Sequence, residues 1–208
     1  MKSTHYKLIE FFIVFILIPI SFEIPYDWRI KAGIGFFGFI YVILILLRIE
    51  KSSFKISSNL NWNFFWRITL FKFIGIATIT TVYMLFVGKD DLFIVVLNKP
   101  KMWVVILFVY SFLSVYPQEL IYRTFFFQRY GKLFSNNNLF IFINAIVFSL
   151  GHIFFKNPLV IVLTFFGGLL FALTYNKTKS TLLVSIEHAI YGCWLFTVGM
   201  GSMLGFPS

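Results

Sequence analysis

The sequence predicts an all-α, polytopic integral membrane protein with about seven transmembrane helices. Three observations predict it. The chain of 208 residues is 59% hydrophobic and only 12% charged, with 30 Phe and a mean hydropathy of +0.87. A soluble domain carries about 25% charged residues. The apolar residues gather into runs near the ~20 residues a helix needs to cross the hydrocarbon core. The Lys and Arg residues behind the net charge of +10 fall mostly between those runs. That is a membrane-topology pattern, not a nucleic-acid footprint.

The expected spans are 7–22, 30–48, 64–87, 102–127, 138–155, 158–176 and 180–202. The first apolar run, Leu8–Phe22, reads as a retained helix and not a signal peptide. Glu10 interrupts it, and no small-residue cleavage site follows Ile20-Ser21-Phe22. Pro25 and Asp27 separate it from the second span, and a polar loop, Arg48–Asn63, precedes the third. Gly88-Lys89-Asp90-Asp91 ends the third span, and Asn98-Lys99-Pro100 opens the fourth. Leu92–Leu97 between them is too short to cross and is expected at the interface.

Ser135-Asn136-Asn137-Asn138 supplies side-chain oxygens to cap the fifth helix. The tight turn at Asn157-Pro158 makes the fifth and sixth helices antiparallel neighbours, and Asn176–Thr181 joins the sixth to the seventh. Neither an internal repeat nor a low-complexity linker is visible, so one structural domain is expected. Cys193 is the single cysteine, which rules out an internal disulfide.

Topology follows from the cations. With the N-terminus cytoplasmic, that side holds Lys2, Lys7, Arg48, Lys51, Lys55, Arg67, Arg129, Lys132, Lys177 and Lys179. The other side holds the smaller group Arg29, Lys31, Lys89, Lys99, Lys101 and Lys156. The bias places the N-terminus inside, in what is expected to be a cell inner membrane.

Three polar spots interrupt the apolar spans. The first is Tyr116-Pro117-Gln118-Glu119-Leu120-Ile121-Tyr122-Arg123. Glu119 and Arg123 are four apart and share a helix face. The second is Phe148-Ser149-Leu150-Gly151-His152, and the third is Ser185-Ile186-Glu187-His188-Ala189-Ile190-Tyr191-Gly192. Each has a bland reading. Glu119–Arg123 could be a structural staple, and a lone His in an apolar helix is more often structural than catalytic. Ionisable residues at membrane depth nevertheless face a protein interior or water and are functional-site candidates. Glu187 and His188 are about 100° apart around a helix, so both can face an interior but not the same point. At 1.5 Å per residue, Glu119, His152 and His188 lie about 15, 21 and 12 Å inside the cytoplasmic boundary, which allows one cluster.

Glu with two His is a set suited to hydrolysis at an acyl carbon. A desolvated Glu serves as general base toward water, and a His orients that water or stabilises the oxyanion. The same residues are also a donor set for a divalent cation, with Zn²⁺ the usual occupant. The helical HExxH zinc motif, a phosphate loop and a GxSxG elbow are all absent from the sequence.

At these residues the chain resembles the CPBP family of intramembrane proteases, which includes CAAX prenyl endopeptidases and bacterial homologues (Abi-like) linked to bacteriocin processing and self-immunity. That family's pattern is Glu-Glu-x-x-x-Arg, then Phe-x-x-x-His, then His-x-x-x-Asn, each on a membrane helix. Gln118-Glu119-Leu120-Ile121-Tyr122-Arg123 corresponds to the first, Phe148–His152 to the second and His188–Gly192 to the third. The resemblance implies a four-helix catalytic core over 102–208, preceded by three helices and the interfacial segment over 1–101. It implies catalytic roles for Glu119, Arg123, His152 and His188, with Gln118, Glu187 and Phe148 in support.

Two positions depart from the pattern: Gln118 stands where the family has its first Glu, and Gly192 where it has Asn. Glu119 itself or Glu187 is then the candidate base. A metal-free, Glu-activated water is preferred, and no cofactor is assigned. The expected partners are a membrane-associated peptide or protein and the lipid bilayer; no nucleic acid is expected, and nothing in the sequence sets an oligomeric state. The alternative reading is a catalytically impaired homologue acting as a bacteriocin-immunity or membrane scaffold protein. A transporter, with the polar residues lining a pathway, is disfavoured by the lack of a repeat.

Overall fold

The computed structural model describes residues 4–51 and 61–205. Lys2, Lys55 and the centre of the Arg48–Asn63 loop lie outside the described residues. The elements described are all helical. They are α1 (Thr4–Ser21), α2 (Trp28–Arg48), α3 (Trp62–Val87), α4 (Ile94–Asn98), α5 (Pro100–Leu133), α6 (Asn137–Phe155), α7 (Pro158–Thr178) and α8 (Thr181–Thr197), with short 3₁₀ turns between. Of these, α1, α2, α3, α5, α6 and α7 are long and apolar enough to cross a membrane by length and composition. The chain is therefore an all-helical integral membrane protein.

The seventh expected span is shorter than the sequence suggests. α8 has 17 residues and stops at Thr197 instead of 202. Gly199 takes a φ of +103°, which no right-handed helix accommodates, and a 3₁₀ turn at Gly201–Leu204 follows. The fourth expected span errs the other way. α5 continues past 127 to Leu133, because Arg129 is not a loop cation but a buried one.

Polar side chains start the helices as their positions suggest. Asp27 Oδ1 accepts from the Arg29 N–H at 2.8 Å, and Asn61 Oδ1 from the Phe64 N–H at 2.9 Å. Asn136 Oδ1 accepts from the N–H groups of Asn138 and Leu139 at 2.9 and 3.1 Å. Asn157 caps α7 through the Leu159 N–H at 2.9 Å, with Pro158 at the first helical position, where its missing N–H costs nothing. Asn136→Ala removes two acceptor contacts and is expected to lower stability by about 1 kcal/mol. Thermal unfolding in detergent measures this as a small drop in Tm.

Prolines re-route two of the long helices. Pro19 and Pro117 have no N–H, and each ring crowds the carbonyl four residues earlier. Each is preceded by a π-helical turn, Ile13–Leu17 in α1 and Tyr110–Val115 in α5. The wider turn removes the conflict without ending the helix. A further π turn, Leu120–Phe125, contains Arg123 and has no proline to explain it.

The chain forms two compact units, Met1–Lys55 with Gln118–Lys179, and Ile56–Pro117 with Ser180–Ser208. In the first, Phe15 is fully buried within a ring cluster of Phe11, Tyr122, Phe125, Phe126 and Tyr130, at centroid separations of 5.2–6.2 Å. Lipid tails are as apolar as these rings, so close packing and dispersion supply the attraction. α6 and α7 run antiparallel in this unit. A Cβ at Gly168 would stand 3.1 Å from Ala145 Cα, and the Ser149 hydroxyl donates to the Ile161 carbonyl at 2.7 Å.

One end of the first unit holds an ionic cluster. Arg129, 1% exposed, sets Nε 2.7 Å from Glu10 Oε2 and Nη1 2.9 Å from Glu50 Oε1. The Tyr130 hydroxyl donates to Glu10 Oε2 at 3.0 Å, and the Tyr41 hydroxyl donates to Glu10 Oε1. Glu10 thus lies inside α1 with a cation and two phenols around it. In the second unit, Val95, Ile106, Tyr110, Val115 and Phe196 form the core. Trp103 Nε1 donates to Thr197 Oγ1 at 3.0 Å, and Trp194 Nε1 to Thr80 Oγ1 at 2.9 Å.

Candidate active site

The first unit holds Gln118, Glu119, Arg123, Phe148 and His152. Glu119 and Arg123 are both fully buried on α5, with Glu119 Oε2 3.3 Å from Arg123 Nε. The guanidinium is also held from α6 and α7. Nη1 donates to Asn144 Oδ1 at 2.7 Å, and Nη2 to the Gly168 carbonyl at 3.4 Å. Asn144 Nδ2 donates in turn to the Tyr122 carbonyl at 2.7 Å. The guanidinium carbon lies 4.6 Å above the Phe148 ring and 5.8 Å from that of Phe171. A planar, delocalised cation suits this setting, since it stacks on rings while its N–H groups fork to several acceptors. The pair is therefore a fixed carboxylate, and Asn144 is a contributor that the motif reading missed. A lone carboxamide in an apolar helix is the signal that could have found it.

Phe148 links this pair to His152. Its ring is 4.9 Å from the imidazole and 5.2 Å, edge-on, from Tyr122. His152 lies just past the last α-helical residue, Leu150, in the turn that follows. Its Nδ1 is 2.8 Å from the Phe148 carbonyl. A carbonyl only accepts, so Nδ1 carries a proton. Gly151 permits this turn to lie against α5, because a Cβ there would overlap the Tyr122 hydroxyl.

The second unit holds Glu187 and His188 on α8. The adjacent side chains diverge, as the ~100° step between neighbours requires. Glu187 is fully buried, with Oε1 2.8 Å from Lys72 Nζ on α3 and 3.0 Å from the Tyr191 hydroxyl. That hydroxyl is also 3.1 Å from the Thr69 carbonyl. Glu187 is thus an ion-paired strut between α8 and α3. Lys72, a cation inside an apolar span, is its countercharge and was not paired by reading the sequence.

His188, 6% exposed, meets the Tyr110 ring edge-on at 6.0 Å. Gly192 lies one turn further along the same face of α8, and a Cβ there would overlap the hydroxyl and ring of Tyr110. Tyr110 has no place in the sequence motifs, yet it occupies the space that a side chain at 192 would need. Gly192→Ala forces this rigid ring to move and is expected to cost about 1–3 kcal/mol, seen as a lower Tm.

The structure therefore assembles the predicted residues as two groups, Glu119–Arg123–Phe148–His152 in one unit and Glu187–His188 in the other. Among the described residues, no three His, Cys, Asp or Glu side chains come together as a metal site.

Comparison with known families bears on these groups. Residues 100–194 match the family model described as type II CAAX prenyl endopeptidase Rce1-like. The matched stretch contains all three motifs and ends two residues beyond Gly192. This part of the chain resembles a CAAX-type intramembrane protease. No curated protein and no solved structure matches the chain.

Proposed function

We propose, from the similarity of residues 100–194 to a CAAX-type protease family, that the chain is an intramembrane endopeptidase. It hydrolyses a peptide bond of a membrane-associated protein or peptide through a water activated by Glu119. The observation that supports this reading best is the buried Glu119–Arg123 pair, braced by Asn144 and by Phe148. Phe148 also holds the His152 ring, by ring contact and through its carbonyl.

The water donates one hydrogen bond to His152 Nε2 and gives its other proton to Glu119 as its oxygen attacks the carbonyl carbon. The carbonyl oxygen becomes an oxyanion, which His188 stabilises through a ring N–H. Collapse breaks the C–N bond, and the leaving amine takes the proton back from Glu119. Arg123 positions Glu119 and does not touch substrate. Gln118 carries no carboxylate and serves only to orient. Glu187, engaged by Lys72 and Tyr191, supports His188 by holding α8. The reading takes the N-terminus as cytoplasmic and the membrane as the cell inner membrane.

Proteoliposomes carrying a membrane-anchored reporter peptide test this. Wild type is expected to cleave it, and Glu119→Gln, His152→Ala and His188→Ala each to lower the rate by about 10²–10⁴-fold. Glu187→Gln is expected to retain most activity if Glu187 is only a strut. Retention of full activity by both Glu119→Gln and Glu187→Gln would remove any carboxylate base.

A second reading is a non-catalytic immunity or scaffold protein of the same fold, favoured by Gln118 and Gly192 at the two positions that depart from the motif. Binding of the reporter by wild type without cleavage would favour it over the protease.

A further inference from the structure

We propose that Asn144 is a positioning residue: its carboxamide holds the π turn Leu120–Phe125 open and so fixes where Glu119 stands against Arg123. This rests on the endopeptidase reading above and deepens it. Every residue it uses belongs to the first unit.

Proline accounts for the other two π turns, but none lies in or just after Leu120–Phe125. The backbone shows where ordinary pairing fails. In an α-helix the Phe126 N–H would donate to the Tyr122 carbonyl, four residues back. Here that N–H goes to the carbonyls of Ile121 and Arg123 and passes over Tyr122. The Tyr122 carbonyl instead receives Asn144 Nδ2 at 2.7 Å and Arg123 Nη1 at 3.3 Å. The other end of the same carboxamide, Oδ1, accepts from Arg123 Nη1 at 2.7 Å. One fully buried side chain thus replaces the missing helical donor and grips the guanidinium together. An amide head suits both tasks, because it carries a donor and an acceptor side by side. A side chain inserted into the helical ladder is a known cause of such a distortion.

The turn matters to the site because of what stands on either side of it. A π turn takes in one residue more than an α turn, and each residue is a step of about 100° around the helix. Glu119 immediately precedes the turn, and Arg123 lies within it. Their contact, Oε2 to Nε at 3.3 Å, therefore depends on the turn being open. Asn144 meets neither substrate nor water in this scheme. It acts through Arg123 and the Tyr122 carbonyl on the aim of the Glu119 carboxylate.

Two variants test this, Asn144→Leu, which keeps the branched outline, and Asn144→Ala, which avoids overpacking. Tm identifies which of them is folded. In proteoliposomes with the membrane-anchored reporter, a folded variant is expected to lower kcat by about 10²-fold, the scale of a misplaced catalytic group, with KM nearly unchanged. In a Glu119→Gln background the same substitution is expected to lower the residual rate little further, since residues that act as a unit are not additive. A second measurement needs no turnover. Tyr122-Arg123 is the one Tyr-Arg pair in the sequence, so carbonyl-¹³C tyrosine with ¹⁵N arginine marks that peptide bond alone in solid-state NMR. Its carbonyl resonance is expected to move in the Asn144 variants and to stay in Ser149→Ala, which removes the α6 hydroxyl bonded to the Ile161 carbonyl. If kcat falls only in step with the folded fraction, or by the same factor with and without the Glu119 carboxylate, Asn144 is a packing residue. The inference is then overturned while the protease stands. An unmoved Tyr122 resonance overturns the π-turn role as well. If wild type cleaves nothing, the endopeptidase reading falls and takes the positioning role with it.

Discussion

Arg123→Met is expected to destabilise the protein by about 3–5 kcal/mol and to abolish the proposed activity. The guanidinium is fully buried, and it is the countercharge of Glu119, which is also fully buried. Without it the carboxylate must either stay ionised in an apolar site or take up a proton. Asn144 Oδ1 and the Gly168 carbonyl lose their donor at the same time. A buried pair need not be more stable than an apolar replacement of both partners, but removing one partner leaves a charge with nothing to offset it. The double variant Glu119→Gln with Arg123→Met should therefore unfold at a higher temperature than Arg123→Met alone. Arg123→Lys should fall between, because an ammonium keeps the charge but cannot fork to three acceptors and stack on Phe148. Thermal unfolding in detergent, followed by tryptophan fluorescence, ranks the four proteins. An Arg123→Met variant that melts with wild type would show that the pair holds nothing.

The second large effect is expected at Arg129, far from the motifs. Arg129→Met leaves two carboxylates, Glu10 and Glu50, without their shared cation. The Tyr41 and Tyr130 hydroxyls remain on Glu10 and offset only part of that loss. A loss of about 3–5 kcal/mol is expected. Glu10→Gln should cost less, because Arg129 then keeps Glu50. Added salt should restore little in Arg129→Met, since screening acts mainly on exposed charges. The same melting experiment, repeated across a salt series, checks both points. Full recovery at high salt would mean that the cluster is solvated.

Some of this was open to reading from the chain. Apolar runs locate membrane helices because crossing the bilayer demands local length and local composition. Asn136, Asn157 and Ser180 were legible as helix starts, because a cap acts within three residues of itself. The divergence of Glu187 from His188 followed from the pitch of a helix. Arg129 was not legible. As a cation after an apolar run it looked like a loop charge, and only Glu10, far away in sequence, makes it a buried one. Lys72 and Tyr110 escaped for the same reason, since each gains its role from a residue on α8.

Sequence by itself determined that this is a helical membrane protein and where most of its helices begin. Those properties depend on neighbours along the chain. Tertiary structure alone decided that Glu187 is tied to Lys72, that Arg123 is braced by Asn144 and Phe148, and that Tyr110 fills the space above Gly192. A buried charge or hydroxyl must find a partner somewhere, but which one it finds depends on how helices distant in sequence pack against one another.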